Sequence, residues 1–400
     1  MAVEGGSSDE SSRLSNSSRE DGRLDRRDYL RPERAAALGL ACMLASHGWP
    51  LRIPTASMTP REIWESSDEA LVRMLGVGHA AACGLLTFRK EFRPVAAYKE
   101  LKEKDIELVA LGDAAYPSRL ARIHDPPPAL FVRGSITKLE GFMKRPRVAI
   151  VGARDASRYG LDAARVIAGD LSMAGVCVIS GMARGIDAAA HEGAVRAGNG
   201  GTVAVLGGGA DVIYPRSNTA LYRQIVEYGA IVTEYPPGEE PRSWRFPARN
   251  RIISGLADGV VVVEARERSG ALITAEFSLE QGREVWAVPG SIFSDLSRGP
   301  HRLMRVGAPA IAGADDVLED LGLDTACGRP PSGHENGSSA ASHDLGPDER
   351  LILEALDVRP VHQDALSRKT GLSGARSGAA LVTLELMGLA RRDPAGGYTR

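Results

Sequence analysis

Residues 147–209 read RVAIVGARDASRYGLDAARVIAGDLSMAGVCVISGMARGIDAAAHEGAVRAGNGGTVAVLGGG. Three short apolar runs (148–151, 176–180 and 202–206) alternate with stretches of helical character, and each run ends in glycine. Continuous apolar strands separated by helices specify a parallel sheet covered on both faces. Downstream, runs at 231–233, 260–263 and 285–288 continue the alternation. The expected fold class is therefore α/β, a Rossmann-like, doubly wound and mostly parallel sheet over about residues 105–322. Such a sheet binds ligands outside the carboxyl ends of its strands, at a topological switch point.

Working outward, residues 1–32 are rich in Ser, Gly, Arg and Asp, and we expect a disordered tail there. Residues 33–104 read as a small helical domain. Thr59-Pro60 places an N-cap before a helix-initiating proline, and Gly76-Val77-Gly78 separates two helices as in helix-hairpin-helix modules. Residues 323–346 read as a flexible linker. Residues 347–400 read as a winged helix: three helices, then a hairpin turning at Gly396-Gly397.

Composition narrows the function. The 400 residues carry 49 Lys/Arg against 51 Asp/Glu, a formal net charge of −2, with 43 % hydrophobic residues. That argues against wholesale disorder and against a globally basic coat protein, while leaving room for a local basic patch. The four cysteines (Cys42, Cys83, Cys177 and Cys327) form no CxxC pair, which suggests reduced thiols in a cytoplasmic protein and no local zinc motif. No apolar run reaches membrane-spanning length, and the first residues have no apolar core of a secretory signal. There is no Walker A loop, no GxGxxG after the first strand, no GxSxG and no HExxH. We accordingly expect no catalytic residues, no metal and no cofactor.

The glycine-ended strands instead suggest a phosphate-binding edge. Gly152 and Arg154 follow the first strand; Ser180, Gly181, Arg184 and Gly185 follow the second. Glycine lets a ligand approach the backbone, and the next helix offers free N–H groups. The stretch 242–251, RSWRFPARNR, has four arginines and no acid, with Trp244 and Phe246 among them. Arginines that pair phosphates beside a ring that stacks on a base suit a single strand. Phe246, Arg249, Asn250 and Arg251 are the candidate contacts from this stretch. Ser269-Gly270, opening the next helical stretch with Thr274, is a further candidate seat.

These residues resemble a known family. VAIVGAR (148–154), SGMARGIDAAAHEGA (180–194), AVLGGGADVIYPRSN (204–218), RFPARNRIISGL (245–256) and SGALITAEFSLEQGREVWAVPG (269–290) look like the bacterial DNA-processing protein A family, also called Smf. The sequence departs from the common pattern at Gly152-Ala153-Arg154, where Gly-Ser-Arg is usual, and at Gly299-Pro300-His301. The resemblance implies a non-enzymatic protein that binds single-stranded DNA, protects incoming DNA and loads the RecA recombinase onto it in natural transformation and recombination. It also implies a homodimer. Two alternatives stay open. One is a nucleoside-monophosphate hydrolase of the lysine-decarboxylase-like Rossmann class, whose Pro-Gly-Gly-x-Gly-Thr turn is absent here. The other is a winged-helix transcription regulator. Residues 374–387 hold a single basic side chain, Arg376, so we expect the winged helix to be an accessory module rather than a duplex reader.

Overall fold

The computed structural model describes residues 31–47, 53–323, 346–356, 361–387, 389–392 and 397–399. The expected tail (1–32, but for Arg31 and Pro32), nearly all of the expected linker (324–345) and Gly396 of the hairpin turn lie outside them. The chain divides into two compact units, residues 1–328 and 329–400.

In the first unit an eight-stranded sheet comprises β1 (Glu107–Ala110), β2 (Ala129–Arg133), β3 (Arg147–Val151), β4 (Cys177–Ser180), β5 (Thr202–Val205), β6 (Ala230–Thr233), β7 (Gly259–Val262) and β8 (Glu284–Ala287). Their order is β1-β2-β6-β5-β4-β3-β7-β8. The six strands β3 to β8 are parallel to one another, as the apolar runs predict, and the chain reverses its direction of winding between β3 and β7. Two antiparallel strands, β1 and β2, extend the β6 edge. The strand-and-helix alternation does not reveal this pair, because they are short runs separated by an irregular connection that ends in Pro126-Pro127-Pro128.

Side chains alternate between the two faces. Val148, Ile150 and Val178 pack under helices Arg158–Met173 and Ile186–Ala197; Ala149, Val151, Ile179 and Val205 pack under Arg245–Leu256 and Gly270–Glu280. The helix Arg245–Leu256 starts inside the basic stretch 242–251. Pro247 is compatible with it because a first-turn residue needs no i→i−4 bond.

The region 33–104, read as a separate domain, shares its core with the sheet. Helix Pro32–Ser46 buries Ala37, Leu38 and Ala41 with Leu108 and Phe131, and buries Leu40 and Met43 on its other side with Ile63, Leu71 and Leu85. The Thr59 capping box with Glu62 forms, and Gly76 closes helix Asp68–Leu75 at φ 63°. In the second unit, helices Pro347–Ala355, Gln363–Thr370 and Gly374–Leu386 and the paired strands Arg391–Arg392 and Tyr398–Thr399 enclose Ile352, Leu366, Leu381, Leu384 and Tyr398, the expected winged helix.

Helices Arg158–Met173 and Ile186–Ala197 touch through backbone at Gly193, where a Cβ would lie 2.3 Å from the Arg165 carbonyl oxygen. Gly193→Ala gains about 1 kcal/mol of helix propensity. It forces the helices apart at an overpacking cost of ~1–3 kcal/mol. The expected net result is a lower urea midpoint; an unchanged or raised midpoint would refute the close packing.

Candidate nucleic-acid interface

At the carboxyl edge, where the connections after β3 and β7 part, lies a cavity of about 580 Å³. Its lining includes Gly152 and Arg154 after β3, Asp187, Tyr214, Phe246, Arg249 and Asn250, and Arg266, Arg268, Ser269, Gly270 and Thr274 after β7. An adjoining cavity of about 340 Å³ is lined by Gly181 and Arg184 after β4, Gly207 and Gly208 after β5, and shares Arg154, Tyr214 and Phe246 with the first. The switch-point expectation thus coincides with an open, arginine-lined cavity.

Phe246 stands where the two cavities meet. The Arg154 guanidinium carbon lies 4.9 Å from its ring centroid, within cation–π range. Tyr214 lies 5.4 Å away on centroids, tilted by 33°. Arg154, Arg184, Arg266 and Arg268 are exposed around this aromatic pair. Arg184 has a loose ion pair at 3.6 Å with the exposed Asp155. Arg266 and Arg268 have no ion pair among the described residues.

Arg249 has a different role. Its guanidinium is buried and donates to the carbonyls of Gly181, at 2.7 Å, and Val205. A Cβ at position 181 would sit 2.6 Å from guanidinium nitrogens, so glycine at that strand end admits the arginine. Burial lowers the Arg249 pKa to about 10, partly offset by Asp187, so it remains cationic at neutral pH. Burial likewise raises the Asp187 carboxyl, and Arg249 opposes that rise.

Around the first turn, the buried Glu264 carboxylate accepts from the Ser157 backbone N–H at 2.8 Å and the Ser157 hydroxyl at 2.5 Å, while its carbonyl accepts from the Ala153 N–H at 2.7 Å. This one residue after β7 therefore shapes the Gly-Ala-Arg turn after β3. After β4, Met182 adopts a left-handed φ of 60°, its carbonyl accepting from Asn218 Nδ2 at 3.0 Å.

Eight of the thirteen candidates line the larger cavity: Gly152, Arg154, Phe246, Arg249, Asn250, Ser269, Gly270 and Thr274. Asn250 donates to the Gly270 carbonyl at 3.1 Å, and Ser269 caps the helix that follows. Gly181 and Arg184 line the smaller one. Three candidates fall elsewhere. Ser180 is buried with its hydroxyl donating to the Ile150 carbonyl at 2.6 Å, which stitches β4 to β3. Gly185, at φ 77°, packs against the first turn, where a Cβ would lie 2.2 Å from the Ala153 carbonyl oxygen. Arg251 faces away from the cleft and forms a two-pronged ion pair with Glu234, 2.7 Å on both prongs, with Asp125 at 3.3 Å. The lining also includes side chains that are not among the sequence candidates, notably Tyr214, Asp187, Arg266 and Arg268. The two arginines stand in the run EARERSG (264–270), where their alternation with acids hides them as a basic signal.

His191, an unused titratable group, is fully buried. The Thr202 hydroxyl donates to the Val178 carbonyl, so the imidazole Nδ1–H donates to Thr202 at 2.7 Å. Burial, reinforced by Arg249, lowers its pKa from 6.5 to about 3.

This is a Rossmann-like sheet whose switch point opens into an arginine- and aromatic-lined cleft, with a winged helix appended. The profile of the DNA recombination-mediator protein A family matches residues 107–322, and that of the DprA winged helix domain matches 336–396. Protein Smf of Synechocystis is 34 % identical over 362 residues, spanning 84 % of this chain and 91 % of the relative. Protein Smf of Escherichia coli is 40 % identical over 340 residues, spanning 83 % and 87 %. The X-ray structure of DNA processing protein A from Streptococcus pneumoniae superposes with a TM-score of 0.61 at 33 % identity, covering 73 % of this chain and 98 % of that one. The chain belongs to the DNA recombination-mediator protein A family, whose members are also named DNA processing protein A and Smf, and is a DNA-processing protein.

A neutral buried His191 has a defined acid signature. Below pH 6.5 the unfolded imidazole binds a proton that the native one refuses until about pH 3. Its contribution to stability is complete above pH 6.5 and is lost on acidification, by up to about 1.4 kcal/mol per pH unit. His191→Gln is expected to lose less stability than wild type between about pH 7 and pH 5, measured by urea unfolding at each pH. Equal losses would refute the assignment.

Proposed function

We propose that the carboxyl edge binds single-stranded DNA, with phosphates against the glycine turns and the exposed arginines and a base at Phe246. The observation that carries this reading is the Arg154–Phe246–Tyr214 cluster at the junction of two open cavities. A planar aromatic surface flanked by unpaired guanidinium groups is what sequence-indifferent recognition of a single strand requires. In this reading Arg154, Arg184, Phe246, Asn250, Ser269 and Gly270, of the sequence candidates, would contact the strand, and Arg249 would support the floor of the cleft. Family membership extends the proposal to loading RecA on that strand during transformation and recombination, by a homodimer. The winged helix is then an accessory module: Arg376, on its third helix, is paired with Asp348 at 2.6 Å rather than free for phosphate.

Phe246→Ala is expected to weaken oligo-dT binding by ~1–3 kcal/mol with an unchanged salt dependence. Arg154→Ala is expected to make the log–log salt slope shallower by about 0.7, the share carried by one neutralised phosphate of a single strand. Fluorescence-anisotropy titrations at several salt concentrations read both quantities. Wild-type behaviour of both variants would move the binding site elsewhere.

We further propose that the cleft hydrolyses neither DNA, ATP nor nucleoside monophosphates. Glu264, which shapes the turn after β3, is occupied in holding Ser157, and His191 is buried and neutral near pH 7. Sustained turnover by purified protein that Glu264→Gln abolishes, with the folded state verified by its urea midpoint, would overturn this.

A further inference from the structure

The opposite, amino-terminal edge of the sheet has a concave site of its own. Arg147 opens β3, Asp258 immediately precedes β7 and Arg283 immediately precedes β8. The short 3-10 turn Leu120–Arg122, in the connection from β1 to β2, brings Arg119 and Arg122 to the same place. Arg119, Arg122, Ile123, Gln281 and Arg283 line a cavity of about 300 Å³.

The charges here do not balance. Asp258 pairs with Arg119 at 2.8 Å and with Arg147 at 3.1 Å, and its second oxygen accepts the Arg147 backbone N–H at 2.8 Å. Arg122 and Arg283 have no ion pair among the described residues. Arg122 Nε donates to the Ser118 carbonyl at 3.2 Å, and Arg283 reaches the Arg119 carbonyl only at 3.4 Å. The Nε atoms of Arg283 and Arg147 are buried without a hydrogen-bond partner. Four guanidinium groups thus gather at this edge, and the one carboxylate paired among them, Asp258, engages two. A guanidinium does not deprotonate at physiological pH, so only an anion relieves this crowding. Burial and the neighbouring Arg119, Arg122 and Arg147 lower the Arg283 pKa, and Asp258 only partly opposes them.

We propose that this edge is a second anion site, which takes a phosphate group between Arg122 and Arg283. Planar guanidinium forks match phosphate oxygens in pairs. The cavity lies at the small end of ligand pockets, room for a free phosphate or pyrophosphate or for the phosphorylated end of a strand rather than for a strand's whole course. It lies across the sheet from the cleft at the carboxyl edge and does not depend on that cleft's function.

The test uses the full chain. Calorimetry with inorganic pyrophosphate is run on wild type, Arg122→Gln and Arg283→Gln, beside titrations with 5′-phosphorylated and 5′-hydroxyl oligo-dT. Arg122 is exposed, so its replacement leaves the packing and the 5′-hydroxyl oligo-dT affinity unchanged. The expected result is saturable pyrophosphate binding that Arg122→Gln weakens by about tenfold or more, the effect of removing one charged hydrogen-bonding group. A 5′-phosphate that tightens oligo-dT binding in wild type but not in Arg122→Gln would also support the site and would assign its phosphate to a nucleic-acid end. Pyrophosphate binding that is absent, or equal in wild type and both variants, together with no Arg122-dependent effect of the 5′-phosphate, would overturn the proposal.

Discussion

The structure around the carboxyl edge depends on one buried cation. Arg249 reaches from helix Arg245–Leu256 to carbonyls at the ends of β4 and β5, satisfying acceptors that would otherwise end in a dry interior. Leaving such groups unpaired costs about 1–3 kcal/mol each, more when a charge is involved. That attachment sets where the first turn of the helix lies, and Phe246 belongs to that turn. The ring in the cleft is therefore placed by an arginine that is not itself open to solvent. Gly181 is part of the same device, because a side chain there would displace the guanidinium.

A second constraint acts on the neighbouring loops. Glu264 follows β7, yet its carboxylate and carbonyl hold Ser157 and Ala153 on the chain that follows β3. Gly185 lets the loop after β4 press against that same turn. Three strand ends are thus bound to one another before any ligand arrives, which favours a rigid cradle for phosphate. The exposed arginines stand above it. The rigid part positions backbone, and the exposed arginines supply charge.

The sheet separates two charged edges. At the carboxyl edge arginines surround aromatic rings; at the amino edge they crowd Asp258 with no ring among the lining residues. The net charge of −2 conceals both, because excess acid elsewhere on the chain cancels them. Charge summed over a chain says little about where a polyanion binds.

The parallel sheet, its switch-point cleft and the winged helix were legible in the sequence, because apolar runs buried on both faces and glycine-ended strands are local signals. So was the capping box at Thr59, whose partners are three residues apart. What the sequence alone could not rank were the arginines of 242–251. Arg245, Arg249 and Arg251 look equivalent as a run, but Arg245 and Arg249, four residues apart on one helix face, reach different partners and Arg251 lies on another face: Arg245 is buried beside Glu239, Arg249 enters the sheet edge, and Arg251 meets Glu234 and Asp125. Each takes partners from distant segments, and no local pattern announces them. Likewise the cluster of Arg119, Arg122 and Arg283 joins segments more than 150 residues apart. Burial and pairing decide whether an arginine supports a fold or awaits a ligand, and both are properties of the assembled chain rather than of the run of letters.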